Sequence, residues 1–174
     1  ERLEEPEDRE AVANREYQRE LFEQYVTKGD NFTEFRTQLL ESYRAGAEFT
    51  GPQGLRRKLG AIDLGYFGRA YLPHYFVRPS PPFHEELDRI FREGVMKGLN
   101  PLTDAKEISR ADGCRRAVEA PRGHAKSTNF TFKDSIHSAV YAYKHYEIIL
   151  SDSSEQAEGF LNDIKTELEE NDAL

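Results

Sequence analysis

The stretch that most constrains this chain runs Ala-Pro-Arg-Gly-His-Ala-Lys-Ser-Thr over residues 120–128. Residues 114–120 before it read as a short buried strand. From about Lys126 to Lys144, Phe132, Ile136, Ala139, Val140 and Tyr143 fall on one helix face, with Phe130, His137, Tyr141 and His145 on another. Strand, tight turn and helix start is the form of a loop that cradles phosphates. Backbone N–H groups at a helix start point at an anion, and the helix dipole adds about half a positive charge there. Lys126 supplies a point charge for β- and γ-phosphates, and the Ser127 hydroxyl is a ligand for Mg²⁺.

The usual pattern for such a loop is G-x-x-x-x-G-K-[ST]. Aligned on Lys126 and Ser127, its two glycine positions hold Ala120 and Ala125. Gly123, inside the loop, is available for a residue with positive φ, and the small methyl of Ala125 still permits close approach of an anion to the backbone. Charge agrees with this. The net charge is −8, yet residues 110–145 carry seven Lys and Arg against three acids, whereas residues 1–20 and 155–174 are acidic. The competing explanation is a basic helix face that only balances acidic neighbours.

The remaining segments frame the loop. Residues 1–12 are acidic and predicted to fray. From Asn14 to Lys28 a helix stripe holds Tyr17, Leu21, Phe22 and Tyr25. Asn31 with Glu34 predicts a capping box, opening a helix lined by Phe32, Phe35, Leu39, Leu40 and Tyr43 and closed at Gly46. Residues 1–50 thus read as a helical hairpin, either a packing appendage or a docking element. Residues 51–60, with Gly51, Gly54, Arg56, Arg57 and Lys58, read as a linker. Tyr66, Phe67, Tyr71, Tyr75 and Phe76 form an aromatic stretch ended by Pro79–Pro82. Leu87, Ile90, Phe91 and Val95 mark a further helix, and residues 98–113 a loop or short helical insert. Residues 146–150 (Tyr-Glu-Ile-Ile-Leu) read as a second strand. Ser154 reads as the cap of a last helix burying Ala157, Phe160, Leu161, Ile164 and Leu168.

This order predicts an α/β fold: a P-loop NTPase core with a parallel sheet flanked by helices, over 51–174 with its phosphate-loop core at 114–174, truncated, and carrying the helical extension 1–50. A single cysteine, Cys114, excludes an internal disulfide and a cysteine-based zinc site and suits a reducing compartment. His137 and His145 stand too far apart to share a metal directly. No apolar run is long enough to span a membrane.

Pro121-Arg-Gly-His-Ala-Lys-Ser127, after its strand, resembles the deviant Walker A loop of the large terminase subunit of tailed bacteriophages, whose pattern is Pro-Arg-Gly-x-(Gly/Ala)-Lys-(Ser/Thr). Residues 148–157, Phe160-Leu161 and residues 167–171 also resemble that family's next strand and helix. The likeness is good over 114–174, looser over 61–97 and uninformative over 1–50. It implies the ATPase part of a viral DNA-packaging motor, which uses ATP and Mg²⁺ to drive double-stranded DNA into a procapsid. A C-terminal nuclease domain cuts the DNA in that family. The implied partners are double-stranded DNA, a portal protein, a small terminase subunit and further copies in a ring, in the host cytoplasm.

Residue by residue, the resemblance implies that Pro121, Arg122, Gly123, His124, Ala125, Lys126, Ser127 and Thr128 hold the nucleotide, with Ser127 on the metal. Lys126 and Arg122 are its catalytic residues, Arg122 as a finger or sensor for the γ-phosphate. The alternative for Arg122 is a salt bridge to Glu119 or the last strand. For the base, an aromatic from 66–76 is a stacking candidate and His84 an edge reader, although a core aromatic cluster accounts for the same residues. Asp152 either faces the site or serves a helix N-terminus.

A Walker B strand ending in Asp with an adjacent catalytic Glu does not occur after Ile164. The first residue is Glu rather than Met, as in a processed chain or a piece of a longer one. Residues 1–174 alone are therefore expected to bind nucleotide weakly or not at all and not to turn it over. Two other readings stand beside the motor: a helicase-like DNA translocase, and a non-catalytic docking module with a vestigial phosphate loop.

Overall fold

The computed structural model describes residues 6–96, 115–143 and 146–174, with side chains from residue 11 onward. The chain divides into two compact units, residues 1–66 and 67–174. The first holds α1 (Pro6–Lys28), α2 (Thr33–Arg44), α3 (Leu55–Ile62) and the start of α4 (Leu64–Tyr71). The second holds the rest of α4, α5 (Pro82–Val95), a π-helical segment (Thr128–Lys133), α6 (Asp134–Val140) and α7 (Ser154–Glu170).

The first unit is built on helix faces. Leu21, Phe22 and Val26 of α1 are buried with Leu39 of α2 and with Leu55, Leu59 and Ile62 of α3. Phe22 sits among aromatic rings, with centroids 5.2 Å from Tyr43, 5.5 Å from Phe49 and 6.3 Å from Tyr66. The hairpin of α1 and α2 is present, but Tyr17 stands 40% exposed outside it. The segment read as a linker is helical from Leu55: Leu55, Leu59 and Ile62 recur at i, i+4 and i+7, and that apolar face outweighs the glycines before it.

Arg36 joins these helices. Its buried guanidinium donates to the Tyr25 and Asn31 carbonyls, both at 2.7 Å, to Asn31 Oδ1 at 2.6 Å and to Asp63 Oδ2 at 2.8 Å. Asp63 in turn accepts from the Tyr66 N–H at 2.8 Å, capping the first turn of α4. The expected capping box at Asn31 and Glu34 is not formed. Phe32 occupies the cap position with φ 52° and no side-chain cap, because the Asn31 amide is engaged by Arg36 and by the Ile62 carbonyl.

The second unit overturns the expected α/β class. No strand occurs among the described residues, and the helices pack on helices instead of on a sheet. Residues 115–120 have no regular structure and are mostly exposed; Arg115, Arg116 and Glu119 leave only Val118 as a strong strand former. In residues 146–150, Tyr146, Ile148 and Leu150 are 81%, 67% and 88% exposed. A parallel strand is covered on both faces and hydrogen-bonded laterally, and neither segment meets those conditions. Cys114, Lys144, His145 and the expected insert at 98–113 lie outside the described residues.

Its core is the aromatic stretch with three helix faces. Phe67, Ala70, Tyr71 and Leu72 are buried, as are Leu87 and Phe91 of α5 and Phe132 and Ile136 of the helix after the loop. The α7 cap is Ser153, which accepts from the Gln156 N–H, one residue earlier than expected. Ile164 and Glu167 of α7 are buried, while Leu161 and Leu168 are 45% and 43% exposed. The buried face continues to Asn171, which donates to the Tyr71 carbonyl at 2.8 Å and to Glu167 at 2.9 Å; Glu167 also meets His74 at 2.7 Å. Those polar ties turn α7 away from its leucines.

Candidate phosphate loop

The loop begins at Pro121 and enters helix at Lys126. Two of its residues lie in left-handed backbone, Gly123 at φ 82° and Ala125 at φ 51°. Gly123 pays little for this, and a Cβ there would meet nothing within 4 Å. Ala125 occupies the second glycine position of the consensus and adopts left-handed geometry despite its methyl. Left-handed residues beside right-handed ones turn successive N–H groups toward one side, an arrangement suited to anions.

The helix entered at Lys126 continues through the π-helical segment and α6 to Val140. Its first turn leaves the N–H groups of Lys126, Ser127 and Thr128 without intrahelical acceptors. The first internal bond runs from the Asn129 N–H to the Ala125 carbonyl at 3.0 Å, and the buried Asn129 amide donates to the same carbonyl at 3.1 Å. Pro121, Arg122, Gly123, His124, Ala125 and Ser127 are exposed; Lys126 and Thr128 are half-buried. Among the described residues neither Arg122 nor Lys126 has an ion-pair partner, so the Arg122–Glu119 bridge is not made. Arg116 reaches Glu93 of α5 instead, at 3.4 Å.

The start of α5 meets the loop. His84 Nε2 lies 3.0 Å from the His124 carbonyl oxygen, and the rings of Phe83 and His124 make an edge contact at 6.0 Å. His84, expected at a base edge, thus holds the loop backbone. Tyr66, Phe67 and Tyr71 are core residues, each at most 3% exposed. Tyr75 is 47% exposed, and its ring lies 4.6 Å from that of Phe132. Asp152 is exposed directly before the α7 cap, where its charge suits the helix N-terminus.

The helix that follows the loop carries a buried polar cluster in which helical periodicity had marked only His137. Lys133 is 1% exposed and pairs with Asp88 of α5 at 2.5 Å; its ammonium lies 3.7 Å from Asp134 and 5.5 Å from the Phe76 ring centre. Asp134 is fully buried, with neither carboxyl oxygen hydrogen-bonded among the described residues. Burial raises its pKa from 3.8 to about 8, with Lys133 pulling down and Asp88 pushing up. His137 is also fully buried, its ring 4.8 Å from both Phe67 and Tyr141 and 5.4 Å from Tyr143. Burial raises the Tyr143 phenol as well. The sequence does carry the signal: Asn129, Lys133 and His137 stand at i, i+4 and i+8 on one helix face.

No group of three metal-ligating side chains occurs among the described residues, and no described helix is long and apolar enough to cross a membrane. Comparison with protein-family models, with curated proteins and with solved structures gave no match.

Proposed function

We propose that residues 121–128 bind the phosphate chain of a nucleoside triphosphate. The observation that carries this reading is the left-handed backbone at Gly123 and Ala125 directly ahead of a helix whose first residue, Lys126, has no ionic partner among the described residues. The loop supports the reading by itself; it leans on no sheet. Gly123, His124 and Ala125 contribute backbone amides, Lys126 a charge for the outer phosphates, and Arg122 a second cation for the γ-phosphate. The residues present suit a Mg²⁺-bound triphosphate in one respect, the exposed Ser127 hydroxyl at the helix start. Mg²⁺, when bound, neutralises phosphate charge.

The biological setting follows from the resemblance of Pro121–Ser127 to large terminase subunits. In this proposal the loop serves ATP hydrolysis that moves double-stranded DNA into a procapsid, with a portal protein, a small subunit and further copies of the chain as partners. Calorimetric titration with Mg-ATP tests it, and of the two outcomes left open for residues 1–174 alone the proposal requires weak binding over none. Heat of binding that is lost in Lys126→Ala and reduced in Arg122→Ala supports the proposal. No heat with the unaltered chain at millimolar nucleotide favours a docking module with a vestigial loop.

A further inference from the structure

The contact between α5 and the loop has a mechanical consequence. A carbonyl oxygen only accepts, so the 3.0 Å contact between His84 Nε2 and the His124 oxygen requires the proton on Nε2. The peptide joining His124 to Ala125 is trans, as the chain holds no cis bond among the described residues. In a trans peptide the carbonyl and the following N–H point in opposite directions. Fixing the His124 carbonyl on His84 therefore turns the Ala125 N–H away from α5. The next φ is the left-handed 51° of Ala125, a conformation uncommon and unfavourable for an alanine. It is held from both sides. His84 grips the peptide before Ala125, and the Asn129 N–H and side-chain amide grip the carbonyl after it, at 3.0 and 3.1 Å. The edge contact of Phe83 on the His124 ring adds a second hold from the same turn of α5.

We propose that His84 is a positioning residue of the phosphate loop, holding the 124–125 peptide so that the Ala125 amide faces a bound phosphate. This rests on the phosphate-loop reading above. It assigns His84 no contact with the base, so its effect is the same for any ligand carrying the phosphate chain.

The test compares inorganic tripolyphosphate with ATP as ligands of the unaltered chain and of His84→Gln, His84→Phe and Lys126→Ala. Amide hydrogen exchange at Ala125 is followed without ligand, and circular dichroism checks the fold. Phenylalanine keeps a ring and removes the donor; glutamine keeps a donor. His84→Phe is expected to weaken both ligands equally, by about three- to tenfold, the span of one hydrogen bond, and to speed exchange at Ala125. His84→Gln is expected to recover most of both effects. Loss of ATP binding with tripolyphosphate unchanged overturns the proposal in favour of base reading. Unchanged binding of both ligands in His84→Phe overturns it too, as does a His84→Gln that folds but fails like the phenylalanine variant. If the unaltered chain binds neither ligand, the phosphate-loop reading itself falls and takes this inference with it.

Discussion

Arg36 and Asp134 show the two fates of a buried charge. Arg36 has every arm of its guanidinium engaged, and its partner Asp63 is itself a helix cap. Arg36→Met leaves that carboxylate half-satisfied, and we expect it to cost about 3 kcal/mol in urea unfolding. Gly29→Ala should destabilise by a similar route, because a Cβ there would fall 2.0 Å from the Arg36 guanidinium carbon and displace it from its partners. Asp134 has no such satisfaction. Its folded pKa of about 8 lies above the ordinary 3.8, so between these values the native state holds a proton that the unfolded chain has released. Stability contributed by this group therefore falls as pH rises through that window, by about 1.4 kcal/mol per unit at most, and levels off above it. Asp134→Asn is expected to flatten the dependence of melting temperature on pH and to melt higher than the parent at pH 8. An unchanged slope would assign the dependence to other groups. None of this was legible from periodicity alone, since a hydrophobic stripe says where a helix packs and not which polar groups are carried inside with it.

Among the elements, α1, α2, α5, the helix after the loop and α7 were readable; α3 and α4 were not, and the two expected strands do not form among the described residues. Leu87 and Phe91 in α5, and Phe132 and Ile136 after the loop, are buried where their spacing puts them. Residues 146–150 hold four apolar side chains around the single Glu147, yet Tyr146, Ile148 and Leu150 remain exposed, because an apolar run by itself supplies a strand with no lateral partner. Leu161 and Leu168 mislead for a related reason: the ties of Glu167 to His74 and of Asn171 to Tyr71 fix the rotation of α7. The π-helical segment likewise shifts the face of its helix, burying Lys133 and Asp134 together. In the loop, the turn into a helix and the positive φ of Gly123 were legible; the left-handed Ala125 was not, since alanine is an unusual occupant of that conformation. Ala125→Val should therefore destabilise the chain by about 1–2 kcal/mol, a β-branched residue being still less tolerant of φ 51°, whereas Ala125→Gly should be neutral or slightly stabilising in thermal melts.

At the scale of the whole molecule, two helical units replace the sheet-centred domain that the order of segments suggested. A far-ultraviolet circular dichroism spectrum with the double minimum of helix is expected, and a dominant sheet spectrum would contradict this architecture. What survives the change of fold class is local: one turn, two left-handed residues, two cations without ionic partners among the described residues and a helix start. The direct measurement of that claim is a titration of the isotopically labelled chain with Mg-ATP, followed by amide chemical shifts. Shifts centred on Gly123 to Thr128, lost in Lys126→Ala, are the predicted result. Silence of those amides at millimolar nucleotide, or the same shifts in Lys126→Ala, would contradict the account.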